Sequence, residues 1–219
     1  MKRVHVLVEG QTEETFVRSV LGSHLASRGV LLTPILVATK RVKSGRKFKG
    51  GIHSYGQVRR DLLRLLGDSA AVAVTTMIDF YGLPRDFPGA ASLSSAASSM
   101  ERVSHLETAL SEDLADPRLL PYLSVHEFEA LLFAAPEEVE QTLTRPGLAS
   151  AIGGAPGVPP EEVNDGEDTH PAARILSLAP HYRKALHGPL ITSRVGLDQL
   201  RRYCPHFSNW VGRLEGLVD

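Results

Sequence analysis

The stretch Val4-His5-Val6-Leu7-Val8-Glu9-Gly10 constrains this chain more than any other. Residues 3–9 form a short valine-rich run, the mark of a β-strand buried on both faces. Such a strand needs helices above and below it, which points to an α/β fold with a parallel sheet. The run stops at a carboxylate, a glycine follows, and a helical pattern begins at once. Open α/β sheets hold their ligands at the C-terminal ends of their strands. A carboxylate in that place is costly to bury unless a cation compensates it, and a metal ion is the usual candidate.

The pattern continues in alternation. From Thr12 to about Arg28, the residues Phe16, Val17, Val20, Leu21 and Leu25 fall at helical spacing. Glu13 and Glu14 suit the first turn of that helix, and Gly29 suits its end. Leu31 to Val37 reads as a second strand. Val58, Leu62, Leu65 and Leu66 mark a second helix, closed by Gly67. Ala71 to Ile78 is a third strand and also ends in a carboxylate, Asp79. With right-handed crossovers, Glu9 and Asp79 then share one edge of the sheet. Residues 80–99 read as loop, 100–114 as helix and Tyr122–Val125 as a short fourth strand. Ser124 and Glu127 have capping-box spacing, so a helix is expected to start there and carry Phe128, Leu131 and Leu132 inward. A further helix follows Pro136. Residues 145–171 form the longest irregular segment, and Pro171 opens a helix running to about His187. Gly196–Tyr203 and Asn209–Leu217 are the last helical pieces. The expected organisation is an α/β core over 1–135 with a mostly helical elaboration over 136–219, packed as one unit.

The net charge is −1, but its distribution is uneven. Lys40, Arg41, Lys43, Arg46, Lys47 and Lys49 lie in one stretch without an acid, and setting those six aside leaves −7 on the rest. Six cations on a loop could release counterions from a phosphate backbone and so bind DNA or RNA; the other reading is a solvated charge run. A single cysteine, Cys204, excludes an internal disulfide and fits a reducing compartment. The apolar run after Lys2 and Arg3 is too short for a secretory signal, and no stretch reaches the length of a membrane span. The expected location is the cytoplasm.

Four groups of residues carry possible chemistry. Glu9 and Glu13, four apart across a strand-to-helix turn, can face one point, and two close carboxylates repel unless a cation lies between them. Mg²⁺ or Mn²⁺ suits such oxygen ligands. Alternatively, Glu13 is only a dipole-matched acid and Glu9 a solvated one. Asp79 is a metal or substrate position or a turn initiator. Asp86 reads as a loop acid. His126 and Glu129 would share a helical face and could bind metal. Lys184, placed late on a helix, is a surface residue or offsets charge on a phosphoryl group in flight. Cys204-Pro205-His206-Phe207 reads as a structural turn around a buried thiol, and Asn164-Asp165 with Glu167-Asp168 as an acidic loop.

Val8-Glu9-Gly10-Gln11-Thr12-Glu13-Glu14-x-Phe16 resembles the opening motif of the Toprim superfamily, and the Glu9/Glu13 pair is similar to the paired glutamates of its overcoming-lysogenization-defect nuclease branch. The chain also resembles a bacterial Toprim-like domain-of-unknown-function family, through Asp79-Phe80-Tyr81-Gly82-Leu83-Pro84, His126-Glu127-Phe128-Glu129-Ala130-Leu131-Leu132-Phe133 and Cys204-Pro205-His206-Phe207. The resemblance implies a Toprim-like nuclease or nickase with Glu9, Asp79 and Glu13 around Mg²⁺ or Mn²⁺. It also implies a role in anti-phage defence with an ATPase partner. One position departs from the superfamily pattern: the second Asp of its Asp-x-Asp motif is Tyr81 here. Asp86 or Glu129 would supply the missing ligand, with Lys184 as the charge-offsetting group. The competing expectation is a non-catalytic Toprim-like module that binds an ATPase or nucleic acid.

Overall fold

Three parallel strands, β1 (Lys2–Val8), β2 (Val30–Leu36) and β3 (Ala71–Asp79), form the centre of the fold. The structure is a computed structural model that describes residues 1–38, 52–153, 158–163 and 169–218. The basic segment 40–49 and the acidic loop 164–168 lie outside the described residues. Two short strands, β4 (Leu119–Leu120) and β5 (Leu123–Ser124), both pair with β3, and the sheet order is β2-β1-β3-β4. Every pairing is parallel. The α/β sheet inferred from the sequence is therefore present; β5 falls within the expected fourth strand, and β4 is an additional short strand before it.

This order puts β2 on one side of β1 and β3 on the other. The chain changes winding direction between β1 and β3, and in open α/β sheets that switch point opens a crevice at the strand C-termini. Val8 stands opposite Met77 in register, so Glu9 and Asp79 leave neighbouring strands at nearly the same height.

The pleat of β1 sorts the core. Val4, Val6 and Val8 join one apolar cluster, and Leu7 joins the other. The second cluster is built with α3 (Tyr55–Leu66) and α4 (Ser99–Leu114), both close to the helices expected there. The first receives α1 (Gln11–Phe16), α2 (Gly22–Ser27) and most of the C-terminal half of the chain. The helix expected over 12–28 is thus present, with a π-helical turn at Val17–Leu21 between α1 and α2. A Cβ on Gly22 would lie 2.8 Å from the Val17 carbonyl oxygen, so a glycine is required where that turn closes.

Beyond β5 the sequence expectation fails in one place. Ser124 does not open a helix: its hydroxyl has no hydrogen-bond partner, and His126 takes a left-handed backbone at φ 65°. A seven-residue 3-10 segment, Phe128–Ala134, follows instead. It buries Phe128, Leu131 and Leu132 as expected, but His126 and Glu129 share no helical face.

Next come α5 (Pro136–Leu143), α6 (Leu148–Ile152) and α7 (Pro171–Leu178). The helix expected to run to His187 breaks at Ala179-Pro180, because proline disfavours helix in the residue before it. A separate helix, α8, spans Lys184–Val195, so Lys184 opens a helix rather than sitting late on one. The chain closes with α9 (Leu197–Tyr203) and α10 (Pro205–Glu215). α10 starts four residues before the expected Asn209. The reason is remote: the Glu161 carboxylate accepts the His206 and Phe207 amides, both at 2.9 Å, at the first turn of α10. Cys204 is buried at that turn, as the structural reading of Cys204-Pro205-His206-Phe207 expects.

The helix α8 packs closely on α1 and on the Phe128–Ala134 segment. A Cβ on Gly188 would lie 2.9 Å from the Phe128 ring and 3.2 Å from Thr12 Cγ2. That approach brings the start of α8 beside the C-terminal ends of β1 and β3. No helix among the described residues is long and apolar enough to cross a membrane.

Candidate functional site

The crevice between β1 and β3 gathers Glu9, Glu13, Asp79, Glu127, Glu129 and Lys184. Glu9 follows β1 directly, and its Oε2 accepts the Asp79 amide at 3.3 Å. Glu13 lies one turn into α1, where its Oε2 accepts the Gly10 amide at 2.8 Å. The Gly10–Glu13 contact fixes the strand-to-helix turn itself. Asp79 ends β3, and its Oδ1 accepts the Phe128 amide at 2.9 Å, tying the 3-10 segment to the strand. These three acids come from the sequence motif around Glu9 and from the end of the third strand, as expected.

Glu127 and Glu129 enter from the other side and are buried. Lys184 Nζ donates to Glu127 Oε2 at 2.8 Å and to Glu129 Oε2 at 3.1 Å. His170 Nδ1 lies 2.7 Å from Glu127 Oε1, an oxygen that also accepts the Ala172 amide at the start of α7. The Tyr182 hydroxyl donates to Glu129 Oε1 at 3.0 Å. Glu127 is therefore no capping residue of its own helix. Its charge is buried and held by a lysine, a histidine and a backbone amide. Tyr182 turns inward because the chain breaks between α7 and α8.

The electrostatics differ across the crevice. Burial pushes Glu13 up to about 7, with the Glu9 charge adding to it. Burial also raises Glu9, and it holds Asp79 well above the usual carboxylate range, with Glu13, Glu9 and Glu129 reinforcing the shift. Glu129 is pushed up to about 7 by burial, which outweighs the opposing pull of Lys184. Glu127 goes the other way: burial opposes its ionisation, but Lys184, His170 and the Ala172 amide outweigh burial and lower its pKa. Lys184 is raised, because Glu129 and Glu127 overcome the cost of its burial.

Among the described residues, no side chain donates a hydrogen bond to Glu9, Glu13 or Asp79, and none forms an ion pair with them. The donor set consists of carboxylate oxygens, which suit a hard divalent ion. Among the described residues, no three His, Cys, Asp or Glu groups stand ready-spaced to hold an ion. On chemistry the three acids fit a divalent cation; a bound ion would draw them together and relieve their mutual repulsion.

The structure does not bring every expected residue here. Asp86 Oδ1 accepts the Tyr55 amide at 3.0 Å and so caps α3. His126 is buried with both ring nitrogens unpartnered, and burial lowers it to about 4. His206 lies 3.0 Å from Glu107 and forms no metal pair with Cys204. Tyr81, in the place of the second Asp of the Asp-x-Asp pattern, stacks its ring on His170 at 4.5 Å. His170 and Tyr182 were not legible as site residues. Each meets its glutamate across more than forty positions of chain, and no local pattern carries such a contact.

The sequence model of a family described as Domain of unknown function (DUF4276) matches residues 8–215. Comparison with curated proteins and with solved structures gives no match.

Proposed function

The chain belongs to the DUF4276 family, whose description names no function, and we propose from the site geometry that it is a Toprim-like, divalent-metal-dependent nuclease or nickase that hydrolyses nucleic-acid phosphodiesters. One observation carries the proposal. Glu9, Glu13 and Asp79 converge at the switch point of a parallel sheet with raised pKa values, and the nearest lysine is already bonded to Glu127 and Glu129. Five carboxylates around one lysine call for a further cation. Glu9, Glu13 and Asp79 would hold Mg²⁺ or Mn²⁺. With Asp86 engaged at α3, Glu129 is the acid left to complete the set.

A bound Mg²⁺ or Mn²⁺ supplies Lewis-acid polarisation at phosphorus and makes water a stronger nucleophile. The chain's own residues do the rest. Lys184, raised and partly exposed, keeps its positive charge at working pH and offsets charge developing on the phosphoryl oxygens. Glu127 holds Lys184 in place and is itself fixed by His170. Tyr182 holds one Glu129 oxygen and Lys184 the other, which fixes the carboxylate between them. The 40–49 segment would track the backbone electrostatically.

The test is cleavage of supercoiled plasmid and of RNA with Mg²⁺ or Mn²⁺, alongside Glu9→Ala and Asp79→Ala. Cleavage by the wild type and its loss in both variants is expected. Cleavage that survives both substitutions sinks the assignment. The second reading, a non-catalytic module that binds an ATPase or nucleic acid, draws on Tyr81 in place of a carboxylate. Binding without cleavage by the wild type would favour it.

A further inference from the structure

Tyr81 lies two residues beyond Asp79, at the lip of the crevice. Its backbone is fixed by an amide that donates to the His126 carbonyl at 2.6 Å, continuing the β3–β5 pairing. One ring face lies on His170, with centroids 4.5 Å apart and planes 23° from parallel. His170 cannot drift, because its Nδ1 is 2.7 Å from Glu127, which Lys184 also holds. Tyr81 is nonetheless 39% exposed, and its hydroxyl has no partner among the described residues. The hydroxyls of Tyr55 and Tyr182, by contrast, donate to Asp113 and Glu129. Packing therefore does not account for Tyr81. A flat ring is held still on one side while the residue keeps 39% of its surface exposed, beside the carboxylate crevice.

We infer that Tyr81, backed by His170, is a stacking platform for an unpaired nucleobase, and that the substrate is single-stranded or frayed where it is cut. This rests on the nuclease reading above. A base can stack on a protein ring only if that π-face is free, and in a continuous duplex both faces are occupied. Stacking accepts any base, so the platform selects strandedness without selecting sequence. Prior fixing of the ring lowers the ordering cost of binding. The Glu127 carboxylate that steadies His170 also positions Lys184, so one group sets the platform and the phosphate-facing charge together.

The test uses a single-stranded oligonucleotide carrying one 2-aminopurine, and the matched blunt duplex, in Ca²⁺ buffer. Wild type is compared with Tyr81→Ala and Tyr81→Trp. Mn²⁺-dependent cleavage of the same strand by wild type and Glu9→Ala is followed separately. The expected result is tighter binding of the single strand than the duplex, with quenched 2-aminopurine fluorescence. Tyr81→Ala should bind the single strand about ten- to hundredfold more weakly and lose the quench. Tyr81→Trp should retain both, with melting temperatures unchanged. Unchanged binding and quenching in Tyr81→Ala would overturn the platform, and Glu9-dependent cleavage would still stand. Equal losses in the alanine and tryptophan variants, with lowered melting temperatures, would mark a structural role and overturn it too. Neither binding nor cleavage by wild type would overturn both readings.

Discussion

The two walls of the crevice are built from the same side chains and treated in opposite ways. On the wall formed by the 3-10 segment and α8, Glu127 and Glu129 are bonded to Lys184, His170 and Tyr182. On the wall formed by β1, α1 and β3, Glu9, Glu13 and Asp79 receive backbone amides only. The difference separates what the fold needs from what it tolerates. Buried charge that is fully paired holds elements together, whereas crowded carboxylates without a counter-ion cost stability when they ionise and persist where they do something else.

Lys184→Met should have the largest effect, because it converts the compensated wall into a second uncompensated one. Removing one partner of a buried pair is strongly destabilising, but Lys184 is 45% exposed, so a loss of about 2 kcal/mol is expected. Thermal unfolding should show it as a drop of roughly 4–8 °C. An unchanged melting temperature would mean that Lys184 does not hold the wall together.

Gly188→Ala tests whether the walls must stand this close. The added methyl meets the Phe128 ring and Thr12, so overpacking should cost about 1–2 kcal/mol. It should also weaken Mn²⁺-induced stabilisation by moving Lys184 and Glu129 away from Glu13. Denaturant titration with and without Mn²⁺ measures both.

Glu13→Gln should have the smallest effect, and the opposite sign. Glu13 keeps its proton up to about pH 7 in the folded state, against 4.5 when unfolded. Between those values the folded chain binds more protons, so stability falls as pH rises through the window. Glutamine removes that loss, and the variant should be about 1 kcal/mol more stable than wild type at pH 8. The gain should vanish below pH 4.5, and Mn²⁺ should no longer raise the melting temperature. Equal stability of variant and wild type at pH 8 would show that burial does not hold Glu13 protonated.

The same division marks what the sequence reveals. Glu9, Glu13 and Asp79 are legible because each is attached to a local pattern, a buried strand's end or a helix's first turn. The opposite wall depends on contacts between distant positions. Glu127 carries capping-box spacing yet serves as a buried counter-ion. Lys184 suggests phosphate chemistry, but its place at the start of α8 depends on Pro180. The early start of α10 depends on Glu161, a carboxylate 45 positions before His206. Periodicity reports which face a residue turns to the core and is silent about which remote partner it meets there.

The close seat of Gly188 against Phe128 and Thr12 gives the chain a built-in order of completion. Strands β1 and β3 are synthesised with their acids long before residue 184 leaves the ribosome. Until α8 docks, Glu127 and Glu129 lack the lysine that pairs with them in the folded chain. Docking α8 delivers the missing charge and tight packing in one step, so Glu127 and Glu129 gain their lysine only when the last helices are in place.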